Sequence, residues 1–293
     1  MILNRRQIVP LLLTGMSLIS GAWWFLKRRA PDHGIKGIVW QVDNATVDIN
    51  GDWGSLGIRE LLIQWTVVDE LAFIPGTGLP LASRLPDWDR IARQPWAREV
   101  ILGLAGRFQE TEARQNVDRL VELSKQISSL PTPLNVSGWY FPVEVDPTWS
   151  DAPRMGALLA ELPRPLWISV YDSANVGART LADWLESWLP KDVGVFFQDG
   201  VGVYARDAMT ARLYADTLAA MLGQERLRVI VEAFRPNGAN GFRSATIEEL
   251  SPQIEALSEH HLYLYDGPHY VNEDLVRSLE RAVFCLNRDS LFG

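Results

Sequence analysis

Cysteine and histidine are scarce in this chain, with one cysteine, Cys285, and four histidines among 293 residues. A lone thiol cannot make an internal disulfide or a cysteine-based zinc site. His260 and His261 are adjacent and the other two are scattered, so no ligand cluster is in view, and neither a metal nor another cofactor is expected. The Gly-x-Ser-x-Gly elbow of serine hydrolases is absent. No glycine-rich phosphate loop follows the first apolar run. The net charge is −8, and no basic patch carries interleaved aromatics, which argues against a nucleic-acid partner.

Charge is missing from Ile8 to Leu26, about nineteen residues flanked by Arg5 and Arg6 and by Lys27, Arg28 and Arg29. About 20 apolar residues span a bilayer, and Trp23 and Trp24 fall where interfacial aromatics sit. No small-x-small cleavage site follows Gly21-Ala22. The expectation for residues 1–34 is a single-pass transmembrane helix in the inner membrane with a short tether, carrying a periplasmic domain. A cleaved signal and a secreted protein is the alternative, since Arg5-Arg6 resembles a twin-arginine signal.

What the chain does have is a rhythm. With 47% hydrophobic and 22% charged residues it can bury a large core. Eight short apolar runs follow one another: Gly37–Trp40, Glu60–Trp65, Glu99–Leu104, Leu134–Trp139, Leu166–Tyr171, Val193–Gln198, Arg228–Glu232 and Leu262–Tyr265. Near-continuous apolarity marks parallel strands covered on both faces. Between the runs, Val117, Leu120, Val121 and Ile127 share one helical face. Ile247, Leu250, Ile254 and Leu257 repeat the pattern, as do Leu275, Leu279 and Val283. The first unit is the poorest, with only Asp52 to Gly57 available for its helix. Strands alternating with helices predict a parallel sheet, and eight repeats predict an α/β fold of the (β/α)₈ TIM-barrel type over residues 35–293. A doubly wound open sheet is the competing fold.

Barrel active sites are built at the C-terminal ends of the strands. Glu144 follows the fourth run and Glu232 ends the seventh, and a pair of carboxylates there is the usual equipment for cleaving a glycosidic bond. Asp199, in Gln198-Asp199-Gly200-Val201-Gly202, is a third catalytic candidate, or else the Asx-turn that shapes its loop. Gln64 and Gln198 are candidate partners for sugar hydroxyls. Strand-end aromatics Trp40, Trp65, Trp139, Tyr140, Tyr171 and Tyr265 suit the apolar faces of pyranose rings, or else pack in the core. Asp266 and His269, after the eighth run, are weaker candidates for sugar contact. The loop Pro236–Gly241 has glycines enough to hold a phosphate, but Glu232 and Asp266 nearby would repel a strongly anionic ligand.

Four segments carry a family resemblance: Ile63-Gln64-Trp65-Thr66, Gly138-Trp139-Tyr140-Phe141-Pro142-Val143-Glu144, Phe197-Gln198-Asp199-Gly200-Val201-Gly202 and Val231-Glu232-Ala233-Phe234. In their order and spacing they resemble a bacterial family of glycoside-hydrolase-like TIM barrels, domain of unknown function 4434. The resemblance implies a barrel with a carbohydrate-active site. In the wider superfamily of retaining barrel glycosidases the acid/base Glu follows strand four after an Asn, where this chain has Val143, and the nucleophile ends strand seven. The expected activity is a retaining glycoside hydrolase acting on an oligosaccharide or polysaccharide. With a membrane tether, the polysaccharide-synthesis machinery is an expected partner. The alternative is a non-catalytic carbohydrate-binding or scaffold barrel in such an assembly.

Overall fold

All eight apolar runs form parallel strands that close into a barrel. The computed structural model describes residues 34–238 and 241–289, with side chains through residue 282. The expected membrane helix and the side chain of Cys285 lie outside the described residues. Among those described, no helix is long and apolar enough to cross a membrane. In chain order the barrel strands are β1 (Ile35–Trp40), β2 (Glu60–Ile63), β3 (Glu99–Gly103), β4 (Val136–Val145), β5 (Leu166–Val170), β6 (Val193–Gln198), β7 (Leu227–Glu232) and β8 (Leu262–Tyr265). Closure brings β8 back to β1, with Gly37 opposite Tyr263 and Ile38 opposite Leu264.

Helices α1 (Trp88–Ala92), α2 (Glu110–Gln115), α3 (Val117–Ser128), α4 (Met155–Leu159), α5 (Ala178–Trp188), α6 (Ala208–Leu222), α7 (Ile247–Leu257), α8 (Gly267–Tyr270) and α9 (Glu273–Asp289) fall between and after the strands. Helix α3 buries Val117, Leu120, Val121 and Ile127, the face its spacing predicts. Helix α7 begins with a capping box: Thr246 Oγ accepts from the Glu249 N–H at 3.4 Å, and the Thr246 N–H donates to the Glu249 carboxylate at 2.8 Å. The first unit has only the 3₁₀ turn Trp53–Leu56, pinned by the Trp53 indole N–H donating to the Val271 carbonyl at 2.8 Å.

Side chains alternate across a strand, so every second residue of each run points into the barrel. Val39, Leu62, Ile101, Tyr140, Trp167, Phe196, Ile230 and Tyr263, one from each strand, form its central layer. Phe196 meets Tyr140 and Tyr263 edge-on, with centroids 5.9 and 4.9 Å away. Trp167 fits because β6 has Gly194 beside it; a Cβ there would lie 2.3 Å from the indole. The barrel is therefore a packed core and closes the floor beneath its mouth. Two residues further along β2, β6, β7 and β8, the inward positions are Gln64, Gln198, Glu232 and Tyr265.

Two additions at the mouth were not foreseen. Short strands Val67–Val68, Leu71–Ala72 and Ala105–Gly106 form a small sheet after β2 and β3. After β7, Phe234–Pro236 pairs antiparallel with Phe242–Ser244. The glycine-rich segment considered as a phosphate loop lies at the turn of this hairpin, where the Asn237 N–H donates to the Gly241 carbonyl at 2.8 Å.

Candidate active site

At ten residues β4 is the longest barrel strand. Its pairing with β5 is irregular between Phe141 and Val145, where Pro142 brings no N–H. Glu144 lies in that stretch, and α2 clamps its peptide. The Glu144 N–H donates to Glu110 Oε2 at 3.1 Å, and Arg114 donates to the Glu144 carbonyl at 3.2 and 3.3 Å. Glu232 is the last residue of β7 and takes the Val203 N–H on Oε2 at 3.1 Å. Gly202 is required beside it, since a Cβ there would lie 2.5 Å from the Glu232 Cβ.

The two glutamates line one cleft of about 580 Å³, together with Gln198, Tyr171, Tyr265 and His269. Its aromatic wall is Phe234, packed against Phe242 at 4.7 Å and Tyr270 at 5.2 Å between centroids. Phe108 and Phe242 stand 59% and 47% exposed at the rim. Beside the cleft lies an inner well of about 110 Å³, lined by Gln64, Glu110, Tyr140, Ser169 and by Glu144 and Gln198, which belong to both cavities. The Gln198 amide donates to Glu144 Oε2, and its nitrogen lies 2.7 Å from Ser169 Oγ.

Four carboxyls gather here without a direct ion pair among the described residues. Burial pushes Glu144 above the usual carboxylate range, although the Gln198 amide and the Arg114 charge pull the other way. Burial, then the charge of Glu144, push Glu110 up to about 8. Burial and the adjacent Asp199 push Glu232 up to about 8, and burial pushes Asp199 up to about 6. The nearby buried arginines are committed to carbonyls. Arg206 donates to the Asp172 carbonyl at 2.6 Å and packs against the Tyr214 and Tyr171 rings at 4.8 and 5.4 Å. Arg235 donates to the Glu232 and Phe234 carbonyls at 3.1 and 2.7 Å. Each glutamate facing the cleft thus has a carboxyl companion, and each pair retains a proton near neutral pH. Proton transfer in either direction is the chemistry such a site can perform.

No family model and no curated protein sequence matches this chain. Its fold is similar to that of a "putative alpha-L-fucosidase" from Bacteroides thetaiotaomicron, with a TM-score of 0.57 and 15% identity over 90% of this chain and 96% of that one. The likeness is one of barrel architecture.

The structure brings Glu144, Glu232, Gln64, Gln198, Tyr140, Tyr171 and Tyr265 to these cavities. It does not bring Asp199, which is fully buried behind Glu232. Asp199 Oδ1 takes the Val201 N–H at 3.1 Å, the Asx-turn, and the Glu232 N–H at 3.4 Å, while the Gln253 amide donates to Oδ2. Trp65, 4% exposed, points outward and donates to the Val42 carbonyl at 2.8 Å. Trp139 packs under the helices, and Trp40 is buried beside Trp88. Asp266 is buried and holds His269, accepting from its N–H and Nδ1 at 2.9 Å. His269 reaches the cleft, and this hydrogen bond to Asp266 raises its pKa.

Glu110, Asp43, Phe108, Ser169, Phe234, Phe242 and Tyr270 line the cavities without having been singled out for them from sequence. A signal for Glu110 existed in its place shortly after the third run, where barrel loops build sites. No metal-ligating group of three or more His, Cys, Asp or Glu exists among the described residues.

Proposed function

We propose that this barrel is a retaining glycoside hydrolase acting on an oligosaccharide or polysaccharide, with Glu144 as acid/base and Glu232 as nucleophile. The observation that carries the reading is that Glu144 and Glu232 flank one aromatic-walled cleft with no cation paired to either carboxyl among the described residues. Burial raises the pKa of Glu144, the direction that suits a group giving a proton to the leaving oxygen. Across the cleft, Glu232 holds the proton of the Asp199–Glu232 pair at rest. It releases that proton to solvent in the cleft before its carboxylate attacks the anomeric carbon, where developing positive charge on the sugar ring favours its ionised form. The Val203 N–H supports that carboxylate. Asp199, whose oxygens accept the Val201 and Glu232 N–H groups and the Gln253 amide behind the cleft, acts as a positioning residue. Tyr265, Phe234, Phe242 and Tyr270 offer rings for the apolar faces of sugars. The barrel likeness and the motif resemblance point in the same direction. With residues 8–26 as a membrane anchor and the barrel in the periplasm, the substrate would be an exported glycan and the synthesis machinery a neighbour.

The test is Glu232→Gln on a glycan panel, with the stereochemistry of the first product read by NMR. Turnover should fall by roughly 10³-fold or more, and the wild type should release product with retained configuration. Undiminished turnover in the variant would remove Glu232 from the chemistry. A wild-type protein that cleaves nothing on the panel would sink the hydrolase reading.

A further inference from the structure

The inner well has a polar inventory that the barrel does not satisfy. Tyr140 and Ser169 are hydrogen-bonded to each other, Ser169 to Gln198, and Gln198 to Glu144. Two groups remain. Gln64 Oε1 is buried and has no hydrogen-bond partner. The Glu110 carboxyl takes only the Glu144 N–H on Oε2 among the described residues, which leaves its second oxygen without a protein donor. A buried amide oxygen without a donor is costly to keep, and a χ3 rotation turns either end of the Gln64 amide to a partner. Gln64 and Glu110 line the same well, whose floor is closed by Val39, Leu62 and Ile230 of the central layer.

The well of about 110 Å³ has room for a few waters or for one polar edge of a sugar, and not for a second ring. Glu144 and Gln198 form part of both the well and the cleft, so a ring held at Glu144 directs one edge into the well. We propose that the well is a recognition subsite for adjacent hydroxyls on the ring undergoing cleavage, with Gln64 and Glu110 as its specificity-determining residues. An amide and a carboxyl lining one well supply both donors and acceptors, and each ring hydroxyl needs both. The subsite selects against a deoxy sugar, which leaves the Gln64 amide oxygen and the second Glu110 oxygen unpaired, far more strongly than apolar contact could. The inference rests on the carbohydrate reading and names the part of the sugar that is read.

The test uses binding, so it does not depend on turnover. Affinities of the full chain for a panel of monosaccharides and their single-deoxy analogues are measured by calorimetry, alongside hydrolysis of the matching aryl glycosides. Glu110→Gln keeps an acceptor for the Glu144 N–H, and Gln64→Leu keeps the side-chain volume; melting temperatures near wild type show that both fold. The wild type should bind one sugar at least tenfold more tightly than one of its deoxy analogues. Both variants should bring that ratio close to one. Unchanged selectivity in both variants overturns the subsite and leaves the hydrolase reading intact if glycosides are still cleaved. Selective binding without cleavage in the wild type upholds the subsite and removes the hydrolase reading. Absence of any monosaccharide binding overturns the subsite.

Discussion

The two ends of the barrel treat their carboxylates in opposite ways. At the N-terminal end, Glu60 of β2 accepts from His261 Nε2 at 3.0 Å and from the Tyr263 hydroxyl, with Arg228 Nη2 at 3.7 Å. Arg228 in turn sits 3.9 Å from the Trp167 ring centroid. Burial alone would raise the Glu60 pKa, but these three partners outweigh it and hold the carboxyl below its usual range. At the C-terminal end the partners are reversed. Glu144 faces Glu110, Glu232 faces Asp199, and all four are pushed up. Yet Glu60 and Glu232 are both glutamates at inward positions of barrel strands. What differs is whether the fold supplies a cation. An end neutralised from within stabilises the barrel, whereas an end left with like charges side by side costs stability and holds protons ready for a ligand.

The sharpest way to break that contrast is to remove the cation. Arg228→Met leaves the largely buried Glu60 carboxylate with the Tyr263 hydroxyl and His261 as its remaining hydrogen-bond partners, and breaking a buried pair costs about 3–5 kcal/mol. At about 2–4 °C per kcal/mol, thermal unfolding should fall by roughly 6 °C or more. A loss within a degree of wild type would show that the lower end is not held by this pair. Adding Glu60→Gln in the double variant should recover part of the loss, because no buried charge then remains unpaired.

The second prediction contrasts the two ends in pH. Glu232 has its folded pKa raised to about 8, so the folded protein keeps a proton that the unfolded chain releases above about pH 4.3. Its effect on stability therefore worsens as pH rises from about 4.3 to about 8. Glu232→Gln should be more stable than wild type at pH 8, by about 1–2 kcal/mol, with the gain shrinking toward pH 5. Glu60 runs the other way. Its lowered folded pKa contributes stability that is present above about pH 4.3 and lost as pH falls through the folded value. Glu60→Gln should thus be destabilised at neutral pH and converge on wild type in acid. Denaturant titrations at pH 4, 6 and 8 read both. Parallel curves for the two variants would abolish the distinction between the ends.

The sequence displayed the fold more openly than the site. Eight runs of four to ten residues were visible because parallel strands buried on both faces are apolar throughout. Parity within the runs carries the orientation of each side chain. Gln64 and Trp65 are neighbours in an extended stretch, so they cannot both face the barrel axis, and the same holds for Trp139 and Tyr140. In each pair the inward position belongs to the residue that lines the well, Gln64 or Tyr140. Asp199 was visible as a loop-forming aspartate, but its burial behind Glu232 depends on Gln253 of α7, 54 residues away. Glu110, Phe108, Phe242 and Tyr270 come from the loops, short helices and hairpin that follow the barrel strands at the mouth, and no periodicity announces where such segments land.

The smallest expected effect concerns the rim, where the two ends differ again. Aromatics of the lower and central layers are buried in mutual contact: Phe196 and Tyr263 are fully buried and meet at 4.9 Å. Phe108 and Phe242 hold their rings out to solvent beside the cleft, although apolar surface gains nothing from exposure. If they serve as sugar platforms, Phe242→Ala should raise KM about fivefold, the equivalent of ~1 kcal/mol, and leave kcat within twofold. Its unfolding midpoint should move by less than about 0.5 kcal/mol, as for other exposed positions. Phe196→Ala, by contrast, should cost about 3–5 kcal/mol of stability. A Phe242→Ala variant that unfolds early with unchanged KM would make the hairpin ring part of the scaffold, and the cleft would then lose that platform.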